Sequence, residues 1–412
     1  MPKEEYALRF RWEAFNPLNH PAWGLPTATL TNPQFGRMTS TNGSMRQMQF
    51  ALKYTFYNLR PHGANRRRVN KMKRRSSILV AAICCVACCS YSQTNANKQS
   101  PPSGILDPLG LISPSQHGQL TTLGTGFSFT EGPAVDRHGN VFFTDQPNDK
   151  IYRWDAGTGE ITLFLQGTGR ANGMAFDKDG NLITCSDLHG EVWKIYPDGS
   201  HVVLVNNYGG KLLNGPNDVW INPVNGGMYF TDPIFPSGYW DANDPRQQAW
   251  PPTHSEQAPV GKGGYVYYLP PGGTALVRVT TEAMGWDSDV WPNGIVGTPD
   301  GKKLYVNRWS GDSKAGTLVF DINPDGTLSN MRMFTIWGGD GMSMDDLGDI
   351  YISNGQGVMG FDPNGNNILT IPLGASGTNN TFAGRDDKLL FITDGAGRVS
   401  GIKMSVKGVP GL

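Results

Sequence analysis

The chain has 412 residues, with 53 Gly, 29 Pro and 10% aromatic residues, a composition typical of many short strands joined by tight turns. Its formal net charge is zero, from 35 basic and 35 acidic residues. Residues 1–75 hold 14 of the basic and 3 of the acidic residues, so that 21 basic and 32 acidic residues remain beyond them. This larger part of the chain is therefore acidic, and it lacks the basic surface of a nucleic-acid-binding protein.

The first distinctive segment is residues 9–56, which contain R-F-R-W-E-A-F and R-Q-M-Q-F-A-L-K-Y-T-F. This segment resembles the last strands of a TonB-dependent outer-membrane receptor. Such a tail cannot form a barrel by itself, because a transmembrane sheet must close to satisfy its backbone. We expect residues 1–71 to be a disordered extension or the product of a fusion or gene model that joins a receptor tail to a second protein. A genuine N-terminal extension is the alternative.

Residues 72–92 have the three parts of a secretory signal peptide. The basic M-K-R-R is followed by the apolar I-L-V-A-A-I-C-C-V-A-C-C and then by the small residues Ser90 and Ser92. The apolar run is too short for a permanent membrane span. Cleavage after Ser92 would give a periplasmic or secreted protein in which residues 93–119 form a linker. Only Cys185 would then remain of the five cysteines, so no intrachain disulfide is expected.

From residue 120 onward one phrase recurs six times, a polar turn followed by a short strand, as in R-H-G-N-V-F-F-T-D and D-K-D-G-N-L-I-T-C. Successive turns are 41, 46, 75, 47 and 39 residues apart, and a period of about 40 to 50 residues with several short strands is typical of propeller blades. The sequence therefore predicts an all-β fold, a six-bladed β-propeller over residues 120–412. The turns are marked by Gly139, Gly180, Gly226, Gly301, Gly348 and Asp387.

An acidic or amide residue stands eight or nine residues before each of these turns. The first strand of every propeller blade lines the central axis, so six such side chains would converge on one channel. Their oxygen donors suit one divalent cation, above all Ca²⁺, with Mg²⁺, Mn²⁺ or Zn²⁺ as alternatives. The competing interpretation is that Asn-Gly and Asp-Gly pairs simply form turns, which explains neither Glu131 nor the pair Asn217-Asp218. The six residues are Glu131, Asn172, Asn217, Asn293, Asp340 and Asn379.

Residues 120–405 resemble the SMP-30/gluconolactonase/LRE family. The motifs that carry the resemblance are F-T-E-G-P-A-V-D, A-N-G-M-A-F-D, L-N-G-P-N-D-V-W, Y-F-T-D-P, P-N-G-I-V-G-T-P-D-G-K-K-L-Y-V, G-D-G-M-S-M-D and T-N-N-T-F-A-G, in this order. The resemblance implies a six-bladed propeller with one divalent cation in its channel, and many members of the family hydrolyse lactones. It assigns the metal to Glu131, Asn217, Asn293 and Asp340. The chain departs from animal members at Gly215, where they carry an Arg used on sugar-acid substrates.

The expected function is metal-dependent hydrolysis of a lactone or sugar-acid lactone by a monomer. The cation would polarise the carbonyl group, and Asp340 would serve as general base. Asn172 and Asn379 would donate hydrogen bonds to the substrate, and His189 could relay protons. Trp240 belongs to an aromatic, Pro-rich insertion at residues 233–252 that we interpret as a lid.

Two other functional classes fit the same channel. A propeller without catalytic activity could bind a sugar or a peptide around a structural cation. A lyase or a phosphoesterase could keep the ring of oxygen ligands with a different acid and base, because a fold does not determine its reaction. The motifs of serine hydrolases, zincins and P-loop proteins are absent from the sequence.

Overall fold

The computed structural model describes residues 6–15, 47–56, 104–114, 119–233, 264–287, 291–309 and 315–409. The chain divides into two units, Met1–Thr94 and Asn95–Leu412. In the first, strands β1 (Tyr6–Phe15) and β2 (Gln47–Phe56) pair antiparallel over their full length. The predicted signal peptide lies outside the described residues. None of the helices among the described residues is long and apolar enough to cross a membrane.

The second unit contains six four-stranded antiparallel sheets, which we call blades 1 to 6. The predicted six-bladed β-propeller is confirmed. The strands, from the innermost to the outermost of each blade, are β4 (Thr130–Val135), β5 (Val141–Asp145), β6 (Lys150–Trp154) and β7 (Ile161–Gln166); β8 (Ala171–Phe176), β9 (Leu182–Ser186), β10 (Glu191–Ile195) and β11 (His201–Val205); β14 (Val219–Ile221), β15 (Met228–Asp232), β16 (Tyr265–Leu269) and β17 (Val277–Arg278); β18 (Trp291–Gly297), β19 (Lys303–Trp309), β20 (Gly316–Ile322) and β21 (Leu328–Thr335); β22 (Met342–Met344), β23 (Ile350–Asn354), β24 (Gly357–Phe361) and β25 (Asn367–Ile371); β26 (Gly377–Ala383), β27 (Leu389–Asp394), β28 (Arg398–Lys403) and β3 (Thr121–Thr125).

Three short 3-10 helices and one small hairpin complete the elements of the described residues. The helices occupy Gln146–Asn148, Asp187–His189 and Glu282–Met284. The hairpin pairs β12 (Asn207–Tyr208) with β13 (Lys211–Leu212) in the connection between blades 2 and 3.

Blade 6 joins the two ends of the propeller. Its outermost strand, β3, precedes blade 1 in the chain and pairs antiparallel with β28, from Arg398↔Thr125 to Gly401↔Thr121. Part of the predicted linker packs against blades 5 and 6. Leu111 and Ile112 are buried in the core, and the backbone N–H of Leu106 donates to the carbonyl oxygen of Thr370 at 2.9 Å. The ring is therefore closed by segments far apart in sequence.

The polar turns of the repeated phrase connect the two innermost strands of each blade. All six marker residues have the left-handed backbone that such turns require, with φ from 57° at Asp387 to 84° at Gly348. In the turn of blade 1, Asp136 Oδ1 accepts hydrogen bonds from the backbone N–H groups of His138 and Asn140 at 2.8 and 3.0 Å. The repeated phrase thus places one end of each innermost strand, and the residues eight or nine positions earlier lie at the other end.

Apolar side chains fill the space between neighbouring blades. The largest cluster spans blades 2, 3 and 4 and includes Ile183, Tyr229 and Phe320, which are all completely buried. Between blades 1 and 6 the rings of Phe143 and Phe391 lie 5.8 Å apart. Each such side chain contributes about 1.5–3 kcal/mol by leaving water. This packing holds the innermost strands around the axis.

The contribution of the contact between blades 1 and 6 to stability can be tested with two glycines that have the same φ. Gly139 and Gly180 both have φ of 81°, so alanine at either position should cost roughly 1–2 kcal/mol of backbone strain. A Cβ at Gly139 would lie 2.3 Å from the carbonyl oxygen of Gly384, whereas one at Gly180 would meet no atom within 4 Å. Urea unfolding should therefore show a larger loss for Gly139→Ala than for Gly180→Ala. Equal losses would show that the contact between the blades relaxes without cost.

Candidate functional site

The six predicted residues all lie at the axial end of the innermost strands opposite the polar turns. In four blades the residue is the second or third of the innermost strand: Glu131 in β4, Asn172 in β8, Asn293 in β18 and Asn379 in β26. In the other two blades it lies two positions before the strand begins, Asn217 before β14 and Asp340 before β22. Five of them are between 3% and 8% exposed, and Asp340 is half-buried. We call these six residues the axial ring.

In four blades, a glycine directly after the axial-ring residue brings the innermost strand close to the next blade. The backbone N–H of Gly173 donates to the carbonyl oxygen of Asn217 at 2.7 Å, and that of Gly294 donates to the carbonyl oxygen of Asp340 at 3.1 Å. A Cβ at Gly132 would lie 1.8 Å from the carbonyl oxygen of Asn172. These glycines are therefore required by close approach between strands, which accounts for the repeated pairs better than turn formation does.

Side chains of the axial ring also contact one another. Asn379 Nδ2 donates to Glu131 Oε2 at 3.1 Å, from the last blade to the first. The same oxygen accepts the backbone N–H of Gly132 at 2.6 Å. Asn293 and Glu131 both lie near enough to the Asp340 carboxylate to lower its pKa. Three of the four predicted metal ligands therefore interact electrostatically in the channel.

Asp218 is a third acid in the channel, and its function was not predicted from the sequence. It is 7% exposed, and its carboxylate accepts the backbone N–H groups of Val219 at 2.9 Å and of Ile295 at 3.3 Å. Asn379 lies near enough to lower the pKa of this carboxyl group. The sequence did contain one indication that Asp218 is special: in four of the other five blades, the residue after the axial-ring residue is glycine.

The acids of the channel have strongly perturbed pKa values. Burial raises the pKa of Glu131 well above its usual range, and the neighbouring Asp340 raises it further. Burial, and then Asp218, raise the pKa of Asp340 to about 7. Burial alone raises the pKa of Asp218 to about 7. Among the described residues, none of the groups that perturb these three pKa values is a Lys or an Arg. The channel therefore favours bound protons or a bound cation.

Two amides of the axial ring are buried without a hydrogen bond from the protein. Asn172 and Asn217 are 8% and 7% exposed, and within the described part of the chain their side chains have no hydrogen-bond partner. These two amides are therefore available to a ligand in the channel. Carboxylate and amide oxygens together suit a hard divalent cation.

The predicted metal set combines two carboxylates with two amides. Over the described residues, no group of three or more His, Cys, Asp or Glu side chains is arranged to hold a metal ion. Any cation at the axial ring would therefore depend on amide oxygens as well as on Glu131 and Asp340.

Polar side chains on the second strand of three blades form hydrogen bonds with the backbone of the axial ring and its neighbour Asp218. Thr231 Oγ1 and Thr393 Oγ1 accept the backbone N–H groups of Asp218 and Asn379 at 3.1 and 3.0 Å. Asn307 Nδ2 donates to the carbonyl oxygen of Asp340 at 2.5 Å. These residues belong to the T-D and V-N pairs that end the repeated strands. The sequence indicated that they were part of a strand, but not that they hold the axial ring in position.

A cavity of ≈ 170 Å³ continues along the axis from the axial ring toward the polar turns. All six innermost strands line it, and its wall includes Met174, Trp220, Met342 and Phe382. Asn379 lines this cavity and also binds Glu131, so it lies where the acidic end of the channel meets the apolar part.

The two remaining predicted site residues are His189 and Trp240. His189 is exposed at the end of the 3-10 helix Asp187–His189, on the same side of the propeller as the axial ring, and its ring stacks on that of Trp193 with the ring centroids 6.2 Å apart. Trp240 belongs to the residues between 233 and 264 that the structure does not describe. The strand ends at Asp232 and Tyr265 place both ends of that segment at the axial-ring end of blade 3. Contact of His189, Trp240 or Asn379 with a substrate stays a prediction.

The fold and the channel define a six-bladed β-propeller with a buried ring of acids and amides. Residues 129–396 match the family described as SMP-30/Gluconolactonase/LRE-like region, and the chain belongs to this family. Residues 1–49 match a family described as an outer membrane beta barrel domain.

Individual relatives agree with this assignment. A gluconolactonase of Zymomonas mobilis is 26% identical over 302 residues, which cover 66% of this chain and 78% of the relative. The structure of a gluconolactonase from Xanthomonas campestris is 27% identical, with a TM-score of 0.59, and the match covers 76% of this chain and 98% of that one. A calcium-binding regucalcin from Agrobacterium tumefaciens shares the fold at 19% identity, with a TM-score of 0.55 and coverage of 71% and 96%.

The raised pKa values predict how pH and a cation affect stability. Asp218 and Asp340 titrate near pH 7 when folded and near 3.9 when unfolded, so the folded chain binds more protons between these values. The free energy of unfolding of metal-free protein should therefore fall as the pH rises through about 7. Ca²⁺ competes with protons, so calorimetry should show a larger increase in Tm at about pH 8 than at about pH 5.5.

The variant Glu131→Gln is the control for this measurement, because it keeps the size of the side chain and removes one acidic ligand. Its Ca²⁺-dependent increase in Tm should be much smaller. An increase of equal size at both pH values in the unchanged protein, or none at either, would contradict cation binding by these acids.

Proposed function

We propose that the protein hydrolyses a lactone at the axial ring with the help of one divalent cation, most favourably Ca²⁺. The observation that carries the proposal is a group of three acids in the channel, the buried Glu131 and Asp218 and the half-buried Asp340. Among the described residues, none of the groups that perturb their pKa values is positively charged. The relatives named above support lactones, including sugar-acid lactones, as the substrate class.

The proposed ligands are Glu131, Asn217, Asn293 and Asp340. A divalent cation held there would supply a Lewis acid for the lactone carbonyl group and a counter-charge for the oxyanion formed on addition of water. The rigid backbone around these residues favours this role, because the carbonyl oxygens of Asn217 and Asp340 are fixed by the glycines of the preceding blades. Little reorganisation would be needed when the substrate binds.

Asp340 is the proposed general base. It is half-buried, and Asn293 and Glu131 interact with its carboxylate. A carboxylate that helps to hold the cation would still have an oxygen that can accept a proton from the attacking water. The proton is returned to the alkoxide of the opened ring, so the products are a carboxylic acid and a hydroxyl group.

Asn172 is the proposed orienting residue for the substrate. Its buried amide, without a partner among the described residues, can donate a hydrogen bond to a lactone oxygen. Asn379 donates instead to Glu131, and its Oδ1 accepts the backbone N–H of Asn380 at 2.8 Å. These two bonds orient the Asn379 amide without using its full hydrogen-bonding capacity.

The general base can be tested against a matched acid in the same blade. Asp340→Asn keeps the shape of the side chain but removes its charge, and kcat for lactone hydrolysis should fall by at least about a hundredfold. Asp349 is the control, since it is 6% exposed and burial likewise raises its pKa to about 7. It lies at the other end of blade 5, so Asp349→Asn should leave kcat nearly unchanged.

Turnover would be measured over a panel of lactones by the release of acid. Full activity of Asp340→Asn, or an equal loss in both variants, would contradict this function of Asp340. Failure of the unchanged protein to hydrolyse any lactone of the panel would favour the alternative of a ligand-binding propeller.

A further inference from the structure

A groove of ≈ 590 Å³ lies between blades 1 and 6, beside the polar turns and therefore at the end opposite to the axial ring. Blade 1 contributes its first turn and the end of β6, and blade 6 contributes the turn after β26. We call it the seam groove. It is lined by Arg137, His138, Gly139, Asn140, Arg153, Asp155, Gly384, Arg385 and Asp387.

The floor of the seam groove is backbone, because glycines stand where the two turns meet. The backbone N–H of Gly384 donates to the carbonyl oxygen of Gly139 at 3.0 Å. Arg385 extends from blade 6 across the seam, since a Cβ at Gly157 of blade 1 would lie 2.2 Å from its Nη2 atom. Guanidinium groups from both blades therefore line the seam groove.

The charges of these groups are only partly balanced. Arg153 pairs with Asp155 at 2.9 Å, and the other oxygen of Asp155 accepts the backbone N–H groups of Gly157 and Thr158. Within the described residues neither Arg137 nor Arg385 forms a salt bridge. Both are exposed, in a part of the chain with 32 acidic and only 21 basic residues. Arg137 Nε donates to His138 Nε2 at 3.3 Å, and Asp387 adds a second carboxylate to the lining. Three arginines against two aspartates leave the groove with an excess of one positive charge, which favours an anion.

We propose that the seam groove is a binding site for a phosphate group. Guanidinium groups bind tetrahedral oxyanions through paired, charge-assisted hydrogen bonds. Arg137 and Arg385 supply two guanidinium groups from different blades, which can share the several oxygens of one phosphate, whereas a carboxylate offers only two oxygens. Such a ligand would connect blade 1 to blade 6 at the closure of the ring, so its binding would stabilise the folded propeller.

The test uses inorganic phosphate as the probe, measured by calorimetric titration and by its effect on Tm at constant ionic strength. Arg137→Gln/Arg385→Gln should weaken binding by at least about tenfold, because two charged donors are lost. The matched control is Lys302→Gln/Lys303→Gln, which removes two exposed positive charges from the corresponding turn of blade 4. It should keep the affinity for phosphate and the increase in Tm. The single variant Arg385→Gln repeats the test with one change if the double variant does not fold.

Sedimentation with vesicles that contain phosphatidic acid, whose headgroup is a phosphomonoester, then identifies the source of the phosphate. Co-sedimentation that depends on Arg137 and Arg385 indicates a lipid headgroup, and phosphate binding without co-sedimentation indicates a soluble phosphate compound. The proposal is overturned if phosphate does not bind the unchanged protein, or if it binds the Arg137→Gln/Arg385→Gln variant equally well. Lactone turnover of that variant should be unchanged, so this result is independent of the function proposed for the axial ring.

Discussion

The contact between successive innermost strands at the axis is the constraint on which the rest of the structure depends. Where the residue after the axial ring is glycine, the next blade approaches to hydrogen-bond distance, as at Gly173 and Gly294. A side chain at these positions would collide with backbone atoms. This close approach brings acids from separate blades together, including Glu131 and Asp340. The chemistry of the channel is therefore a consequence of how the blades pack.

The cost of this arrangement is the burial of several carboxyl groups with raised pKa values. Protein interiors seldom hold such groups unless they are paired, hydrogen-bonded or bound to a metal. The backbone partly stabilises the buried carboxylate of Asp218, which accepts hydrogen bonds from the N–H groups of Val219 and Ile295. Its own pKa is nevertheless raised to about 7. An acidic group maintained at this cost in the centre of the molecule is better explained by a ligand than by stability alone.

Much of the fold could be predicted from the sequence because one turn chemistry is repeated. The six marker residues all adopt the left-handed conformation, even Asp387, where glycine is replaced. Counting back from these turns was enough to find the axial ring. The outermost strand of blade 6 could not be found in this way, because T-T-L-G-T has no turn phrase beside it and pairs with residues about 275 positions away.

The contacts around the site were harder to predict than its members. Asp218 was visible only as an exception to a glycine pattern, and its pKa depends on burial that a sequence does not display. The supporting hydroxyl groups of Thr231 and Thr393 were visible as part of the strands, but their bonds to the axial-ring backbone require the three-dimensional register. The most direct test of the account is lactone turnover by metal-stripped protein, verified by elemental analysis, during titration with Ca²⁺. We predict negligible turnover without metal and full recovery at one Ca²⁺ per chain, whereas full turnover by verified metal-free protein would contradict the account.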